Sequence, residues 1–479
     1  MSGNVKKEFG DYQTPLDFCY RVCNYIKESR LAEDAAAIME PTCGVGNFLL
    51  AASNTFACSK LIGIEVNAKR ADAARIEVPS ATIETNDIFN VSTKTLCGED
   101  CVLVIGNPPW ATNSELSFNL PPKTNFKGLR GIEAITGSSN FDICEYIILK
   151  LIGEYKHTNS TICMLCKTSV ARNVVSELSR NHIAYQKVEM LNFNSSKIFG
   201  ISASACVLII KLSTDEACAG EIVCEVKDFD KKSVIDTLIV SGDTVKTART
   251  ITDLEGKCQF VWRQGVKHDC GKVMELDRKD NDFINKNKTA VRLENGLVFP
   301  LVKSSHFKKP IIHDFSKYVN VTQKKPKKDT IESFDKRKSV IYKETAPFSM
   351  FGIGDYSFAP YKVALSGFYK KPLFCLLYAS KPVMTDDTAY FLAFYDYDIA
   401  YSMMLLLNSK TVQEFLLSIA FLDNKRPYTV KLLSRLDIQK CLEAVPFEGL
   451  KQTEAGLKLP PKITETMYRN LAQFVREQA

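Results

Sequence analysis

The chain has 479 residues, 45% of them hydrophobic and 24% charged, with a formal net charge of +7. That composition excludes a disordered, collagen-like or disulfide-scaffold class, and the length suits two domains with a core each. The mild positive excess is compatible with an anionic partner without requiring one.

The first half alternates short apolar runs with longer helical patterns. DAAAIMEP reads as a strand entering a turn, and KLIGIEVN as the next strand, followed by a helix over AKRADAARI. ATIETNDIF and CVLVIGNPP are further strands. A long polar loop, Ala111 to Asn140, then leads to a helix in NFDICEYIILKLIGEYK; loops of that length are usually functional. STICMLCKTS predicts another strand, VARNVVSELSRN a helix, and ACVLIIKLS a late strand antiparallel to a neighbour. Strands alternating with helices predict an α/β fold, a doubly wound sheet.

Near residue 245 this alternation fades. Residues 261–345 carry about twenty Lys or Arg against about eleven Asp or Glu, densest in TQKKPKKD and FDKRKSVIYK. Aromatics, lysines and prolines interleave in YSFAPYKVALSGFYKKPLFCLLYASKPV, and helical periodicity returns in YSMMLLLNSKTVQEFLLSIAFL. The expected domains are therefore 1–245 and 246–479, the second basic and of mixed α+β type.

The 16 cysteines are scattered singly, with no signal peptide, which predicts reduced thiols in the cytoplasm. Cys163 and Cys166 form a C-x-x-C inside an apolar run, so burial in a strand is expected rather than redox chemistry. Five widely spaced histidines give no metal pattern, and no apolar run reaches the length of a membrane span.

IMEPTCGVGNFLLAA runs strand, glycine turn, helix. Gly44 and Gly46 allow a tight turn and close approach of a ligand. The stretch is not G-x-G-x-x-G and opens with an acid, Glu40. An acid beside a helix N-terminus disfavours phosphate and fits a cationic, amine-bearing ligand. S-adenosylmethionine is such a ligand, with its sulfonium and α-ammonium groups. The next strand ends in Glu65, roughly twenty residues beyond the glycines, where an acid accepts from ribose hydroxyls. The third ends in TNDIF, where Asp87 is placed to accept from an adenine amine. Three acid-tipped strands at one sheet edge point to a ligand there.

Asn107-Pro108-Pro109-Trp110 closes the fourth strand on the same edge. Proline lacks an N–H, ends a ladder and restricts Asn107 before it. The corner presents two acceptors, the Asn107 side-chain oxygen and the Pro108 carbonyl, with Trp110 as a flat face. The lone pair of a nucleobase exocyclic amine is delocalised into its ring. Two acceptors on its N–H groups favour a tetrahedral nitrogen and free the pair for attack on a methyl group. The aromatic holds the base by stacking, and a duplex base must be extruded to reach it.

In motif order, the chain resembles the gamma-class N6-adenine DNA methyltransferases of bacterial restriction–modification systems. DYQTP resembles the first element, implying that Thr14 contacts the methionine end of the cofactor. EPTCGVGNF resembles the cofactor turn, implying Glu40, Thr42 and Cys43 on the methionine side with Gly44 and Gly46. IEVN implies Glu65 on the ribose and Val66 against the adenine; NDIF implies Asp87 and Ile88 around the adenine. NPPW resembles the catalytic tetrapeptide, with Trp where the family usually has Tyr or Phe. SSKIFGISASACVLIIKL resembles the element whose aromatic, here Phe199, meets the flipped base from its edge or other face. The resemblance covers about residues 8 to 212.

It implies a Rossmann-like S-adenosylmethionine-dependent methyltransferase sheet, then a target-recognition domain acting on double-stranded DNA. FVWRQGVKHD, LVFPLVKSSHFKK and SFAPYKVALSGFYKKP resemble segments of such domains. A cognate restriction endonuclease, acting separately, is the implied partner. The tetrapeptide also occurs in RNA and protein-glutamine methyltransferases, so an enzyme of that kind with an appended binding domain is the alternative.

Overall fold

The structure is a computed structural model describing residues 13–57, 60–110, 142–216, 219–242, 244–247, 253–268, 274–279, 282–286, 288, 290–291, 298–321 and 350–478. The expected loop over 111–140 and the densest basic runs, 322–329 and 334–343, lie outside the described residues. The chain divides into two compact units, Met1–Ala248 and Arg249–Ala479.

Unit 1 is built on one sheet. Its strands are β1 (Ala37–Glu40), β2 (Lys60–Glu65), β3 (Ala81–Thr85), β4 (Val102–Gly106), β5 (Thr161–Lys167), β6 (Tyr185–Asn194), β7 (Ser204–Leu212), β8 (Ile222–Asp228), β9 (Val234–Ser241) and β10 (Thr244–Thr247). Their order is β10-β9-β8-β6-β7-β5-β4-β1-β2-β3. The run from β3 to β5 is parallel throughout. β7 inserts antiparallel between β5 and β6, as ACVLIIKLS predicts. Beyond β6, a parallel β8 and the antiparallel β9 and β10 extend the sheet.

The central strands are apolar because both faces are covered: every residue of AIME (β1) and VLVIG (β4) is buried. The helices are amphipathic. α1 (Leu16–Glu28) buries Phe18, Cys19, Val22, Cys23 and Ile26 at helical spacing and packs on α2 (Asn47–Thr55). α3 (Ala68–Glu77) is capped by Asn67 and packs on β2 and β3. α4 (Thr93–Cys97), α5 (Ile143–Tyr155) and α6 (Thr168–Arg180) form a contiguous second group. Asp142 caps α5, accepting from the Cys144 amide at 3.1 Å. A short helix, α7 (Ser195–Phe199), links β6 to β7 and ends at Gly200 in the left-handed region. The result is a Rossmann-like α/β sheet of the methyltransferase type. Cys163 and Cys166 are both fully buried in β5, and burial pushes both thiols up.

Unit 2 is mixed. Its described residues form a five-stranded, a six-stranded and a two-stranded sheet. In the first, Tyr361–Ser366 pairs antiparallel with both Ala389–Phe394 and Cys375–Leu377. The helix Tyr397–Asn408 is apolar nearly all round and forms the centre of a core with the C-terminal helices. Among the described residues, no helix of either unit is long and apolar enough to cross a membrane.

Candidate active site at the carboxyl edge of the sheet

The carboxyl ends of β1, β2, β3 and β4 lie side by side, and the chain leaves each in a turn that carries a predicted residue. β1 ends in Glu40, which is only 3% exposed. Its Oε2 accepts the Leu49 amide of the first turn of α2 at 3.2 Å. Burial drives the Glu40 carboxyl well above its ordinary range, and the nearby Glu65 adds to this. Among the described residues Glu40 makes no ion pair.

The turn that follows is fixed from both sides. The Cys43 amide donates to the Ile64 carbonyl at 2.8 Å, and the Gly44 amide to Glu65 Oε2 at 2.9 Å. Gly46 has φ +89° and directly precedes α2; a Cβ there would also press to 3.3 Å on Val78 of the segment after α3. Only glycine combines that backbone with that contact. Thr42 Oγ1 is buried and finds no hydrogen-bond partner among the described residues.

Glu65, 6% exposed at the tip of β2, holds two amides: Gly44 on Oε2 and Asn67 on Oε1 at 2.8 Å. Its backbone carbonyl accepts the Asn86 amide at 3.1 Å, linking the second tip to the third. A carboxylate has about four acceptor positions, so lone pairs remain for a ligand. Beside it, Val66 is 67% exposed, an apolar side chain left uncovered at the strand end. Asp87 caps the short helical turn after β3, its Oδ1 accepting the Phe89 amide at 3.0 Å; Oδ2 accepts nothing from the described residues, and Ile88 next to it is buried.

Thr14 is buried, and its carbonyl accepts from Asn47 Nδ2 at 2.7 Å, so the segment before α1 is tied to the start of α2. Gln13 Oε1 receives the Val45 amide at 3.4 Å. Gln13 and Asn47 join the candidate site through these bonds, and the sequence did not single them out. Their place inside DYQTP and EPTCGVGNF was the one signal for them.

The fourth tip meets the first. A Cβ at Gly106 would lie 3.4 Å from Glu40 Cγ and 3.8 Å from Glu40 Oε1. Asn107, the next residue, is half-buried, Pro108 is buried and Pro109 half-buried. The Pro108 carbonyl accepts no hydrogen bond among the described residues. Trp110 is 6% exposed and its indole Nε1 donates to the Leu165 carbonyl of β5 at 3.3 Å. Phe199, at the end of α7, meets the Trp110 ring edge to face with centroids 5.5 Å apart. The two rings touch, so Phe199 suits an edge contact with a third ring. A parallel two-sided stack would require one ring to move.

An acid-lined, glycine-turned sheet edge continuous with an Asn-Pro-Pro-aromatic corner, followed by a separate mixed unit, defines a methyltransferase with an appended domain. The comparisons identify the family. The chain is 34% identical over 478 aligned residues to the Type II methyltransferase M.NspV of Nostoc sp., covering 92% of this chain and 98% of that one. It belongs to the Type II methyltransferases. A shorter alignment, 29% identical over 170 residues, matches the Type II methyltransferase M.CvrRI of Paramecium bursaria Chlorella virus XZ-6E over 36% of this chain and 39% of the relative. Among solved structures, the Type IIL restriction-modification enzyme MmeI in complex with DNA superposes with a TM-score of 0.57 at 11% identity. That match covers 100% of this chain and 76% of MmeI, and shows that the fold is shared. No family model matches the sequence.

Proposed function

We propose that this chain transfers a methyl group from S-adenosylmethionine to the N6 amine of adenine at a specific site in double-stranded DNA, with the adenine turned out of the duplex. The observation that carries the reading is the contact between the first and fourth strand tips, where Gly106 lies against Glu40. It sets an acid with no ion pair among the described residues beside a corner that offers amine acceptors.

The residues present fit the cofactor. Buried Glu40 suits a cationic group, the unused Thr42 Oγ1 a polar partner, and Glu65 a pair of hydroxyls. Exposed Val66 and the open Asp87 Oδ2 suit an aminated aromatic ring. Thr14, Cys43 and Ile88 close the floor. When bound, S-adenosylmethionine supplies a methyl group on a sulfonium, already an activated electrophile. The chain's own residues orient the acceptor. Asn107 Oδ1 and the Pro108 carbonyl accept hydrogen bonds from the two N–H groups of the amine and favour the tetrahedral nitrogen whose lone pair attacks, and the one proton that the methylated nitrogen sheds passes to solvent; Pro109 stiffens the corner. Trp110 stacks on the base and Phe199 meets its edge.

Unit 2 serves as the target-recognition domain, its basic residues neutralising phosphates. The chain acts in the cytoplasm as the modification partner of a separately acting restriction endonuclease. DNA as partner is in keeping with the DNA-bound state of MmeI, whose fold the chain shares.

The test offers duplex DNA, RNA and protein with radiolabelled S-adenosylmethionine. Label on the N6 of duplex adenine alone is expected. Label on RNA or protein, or no affinity for the cofactor, overturns the reading.

A further inference from the structure

We propose that a cavity inside unit 2 reads one base of the target duplex through that base's exocyclic amine, with Asp386 as the acceptor. The proposal rests on the DNA reading above and adds the class of base recognised and the residue that recognises it.

The cavity holds about 380 Å³ and its wall includes Glu275, Lys303, Ser304, Phe368 and the turn Asp386–Thr388. That volume lies within the range of small-molecule pockets. The turn joins the strands Met384–Thr385 and Ala389–Phe394 and is held rigidly. The Asp386 amide donates to the Val302 carbonyl at 3.1 Å, and the Ala389 amide to the Asp386 carbonyl at 3.1 Å.

Asp386 is 7% exposed. Its Oδ1 accepts the Thr388 amide at 3.1 Å and the Thr388 hydroxyl, which is 2.5 Å from Ser304 Oγ. Its Oδ2 accepts nothing from the described residues. The other two carboxylates of the cavity have cations. Glu275 pairs with Lys303 and Lys286, each at 2.6 Å, and Asp387 pairs with Arg426 at 3.2 Å. Among the described residues Asp386 makes no such ion pair, and the charge of Lys303 acts on it only from a distance. Burial raises its carboxyl accordingly. Asp386 lines the cavity with that oxygen uncommitted, so it can accept from a ligand's donor.

The surroundings select the kind of donor. Lys303, Lys286 and Arg426 stand at the cavity, and the charges of Lys303, Lys308 and Lys317 help lower the nearby His306. The cations Lys303, Lys286 and Arg426 match the three carboxylates Glu275, Asp386 and Asp387, so the site carries no net charge to draw in a cation and suits a neutral donor. The carboxylates do not converge on a metal either: no three His, Cys, Asp or Glu side chains gather as ligands among the described residues. A nucleic acid satisfies both parts, its phosphates meeting the lysines and a neutral amine reaching Asp386. Carboxylates read amine-bearing bases in this way, cytosine N4 above all. Phe368 is half-buried, with the Arg426 guanidinium 5.2 Å from its ring centroid, and gives the cavity a flat wall for a planar group.

The experiment uses the full chain and a duplex carrying its methylated site. At each position of that site except the target adenine, the base is replaced by an analogue lacking its exocyclic amine: purine for adenine, hypoxanthine for guanine, pyrimidin-2-one for cytosine. Transfer is followed as kcat/KM in the parent and in Asp386→Asn, which keeps an oxygen for Thr388 and turns a donor toward the cavity. One position is expected to cost the parent roughly ten- to hundredfold and to cost Asp386→Asn nothing further, while affinity for S-adenosylmethionine is unchanged. Equal losses in the two proteins at every position overturn the proposal. Should Asp386→Asn not fold, Phe368→Leu carries the test, with the loss confined to the same position; a uniform loss overturns it. A parent that methylates no duplex sinks the underlying DNA reading, and this is seen before any variant is made.

Discussion

The two units build their sites in different ways. In unit 1, the candidate residues other than Gln13 and Thr14, which precede α1, lie at the end of a strand or within a few residues of one. The parallel sheet carries Glu40, Glu65, Asp87 and Asn107 to one edge whatever loops follow. In unit 2, the cavity around Asp386 draws on residues from positions 266 to 388, on several strands and turns. A parallel sheet makes a site by topology, and a mixed unit makes one by tertiary packing. Substitutions in unit 1 should therefore strike chemistry and cofactor directly, while those in unit 2 should strike selectivity and stability.

The largest effect is expected at the corner after β4. Asn107→Ala removes one of the two acceptors offered to the amine. Loss of a preorganised hydrogen-bonding group of this kind typically costs about 10²–10³ in kcat. Single-turnover transfer should fall by that factor while S-adenosylmethionine affinity, measured by titration calorimetry, stays the same. Intact transfer by Asn107→Ala would remove the residue from the mechanism and blur the contrast with unit 2.

Next comes Glu65→Gln. The carboxylate accepts two amides, from Gly44 and Asn67. A glutamine has one oxygen and one amino group, so one of those amides would face a donor. Leaving a buried donor unmatched costs about 1–3 kcal/mol. Cofactor affinity should drop roughly ten- to hundredfold by that measure, and the thermal midpoint of unit 1 should fall with it. A change in affinity alone would mean that Glu65 serves the ligand and not the turn.

The units should also answer pH with opposite sign. Glu40 in unit 1 has its carboxyl raised by burial. Its stabilising contribution is present below the ordinary carboxylate range and is lost as pH rises through the raised value. Lys362 in unit 2 is 1% exposed, and burial lowers its ammonium to about 7; it donates to the Ser357 and Ala359 carbonyls at 2.9 and 3.1 Å. From about 7 up to the ordinary 10.5, the unfolded chain holds the extra proton, so stability rises with pH. Thermal scans at pH 6 and 9 should move the unit 2 transition upward in the parent and leave it level in Lys362→Met. Glu40→Gln should remove the opposite drift from unit 1. Transitions that move together would show that the units do not unfold separately.

How much of this was legible beforehand follows from the same difference. The acid-tipped strands and NPPW were visible because each signal is local: an apolar run, a stop, and a polar residue at a fixed offset. The antiparallel β7 was visible in ACVLIIKLS. The extension of the sheet by β8, β9 and β10 was not, because IVCEVKD and VIDTLIVS are half-exposed and lack the continuous apolar run that marks the inner strands. Gln13 and Asn47 escaped because their roles arise only when α1 and α2 pack together. Asp386 escaped for a stronger reason. Its neighbour Asp387 has the same local sequence setting, and only the fold pairs Asp387 with Arg426 while leaving Asp386 without an ion pair among the described residues.

The smallest expected effect probes Trp110, which stands where the resembled tetrapeptide usually has Tyr or Phe. A tyrosine or phenylalanine there has no indole N–H, whereas Trp110 Nε1 donates to Leu165 O in β5 at 3.3 Å. Trp110→Phe keeps a flat face for the base and loses that bond, leaving the Leu165 carbonyl with only the weaker Cys144 thiol as a side-chain donor. A net loss of about 0.5–1.5 kcal/mol is expected from one neutral hydrogen bond. It should be read as a modest rise in KM for DNA with kcat nearly unchanged, because the face that stacks on the base remains. Trp110→Ala removes the face as well and adds the stacking loss of about 1–3 kcal/mol. If Trp110→Phe were as damaging as Trp110→Ala, the indole would act by holding β4 to β5 and not by stacking. The corner would then owe its shape to tertiary packing, as the cavity of unit 2 does.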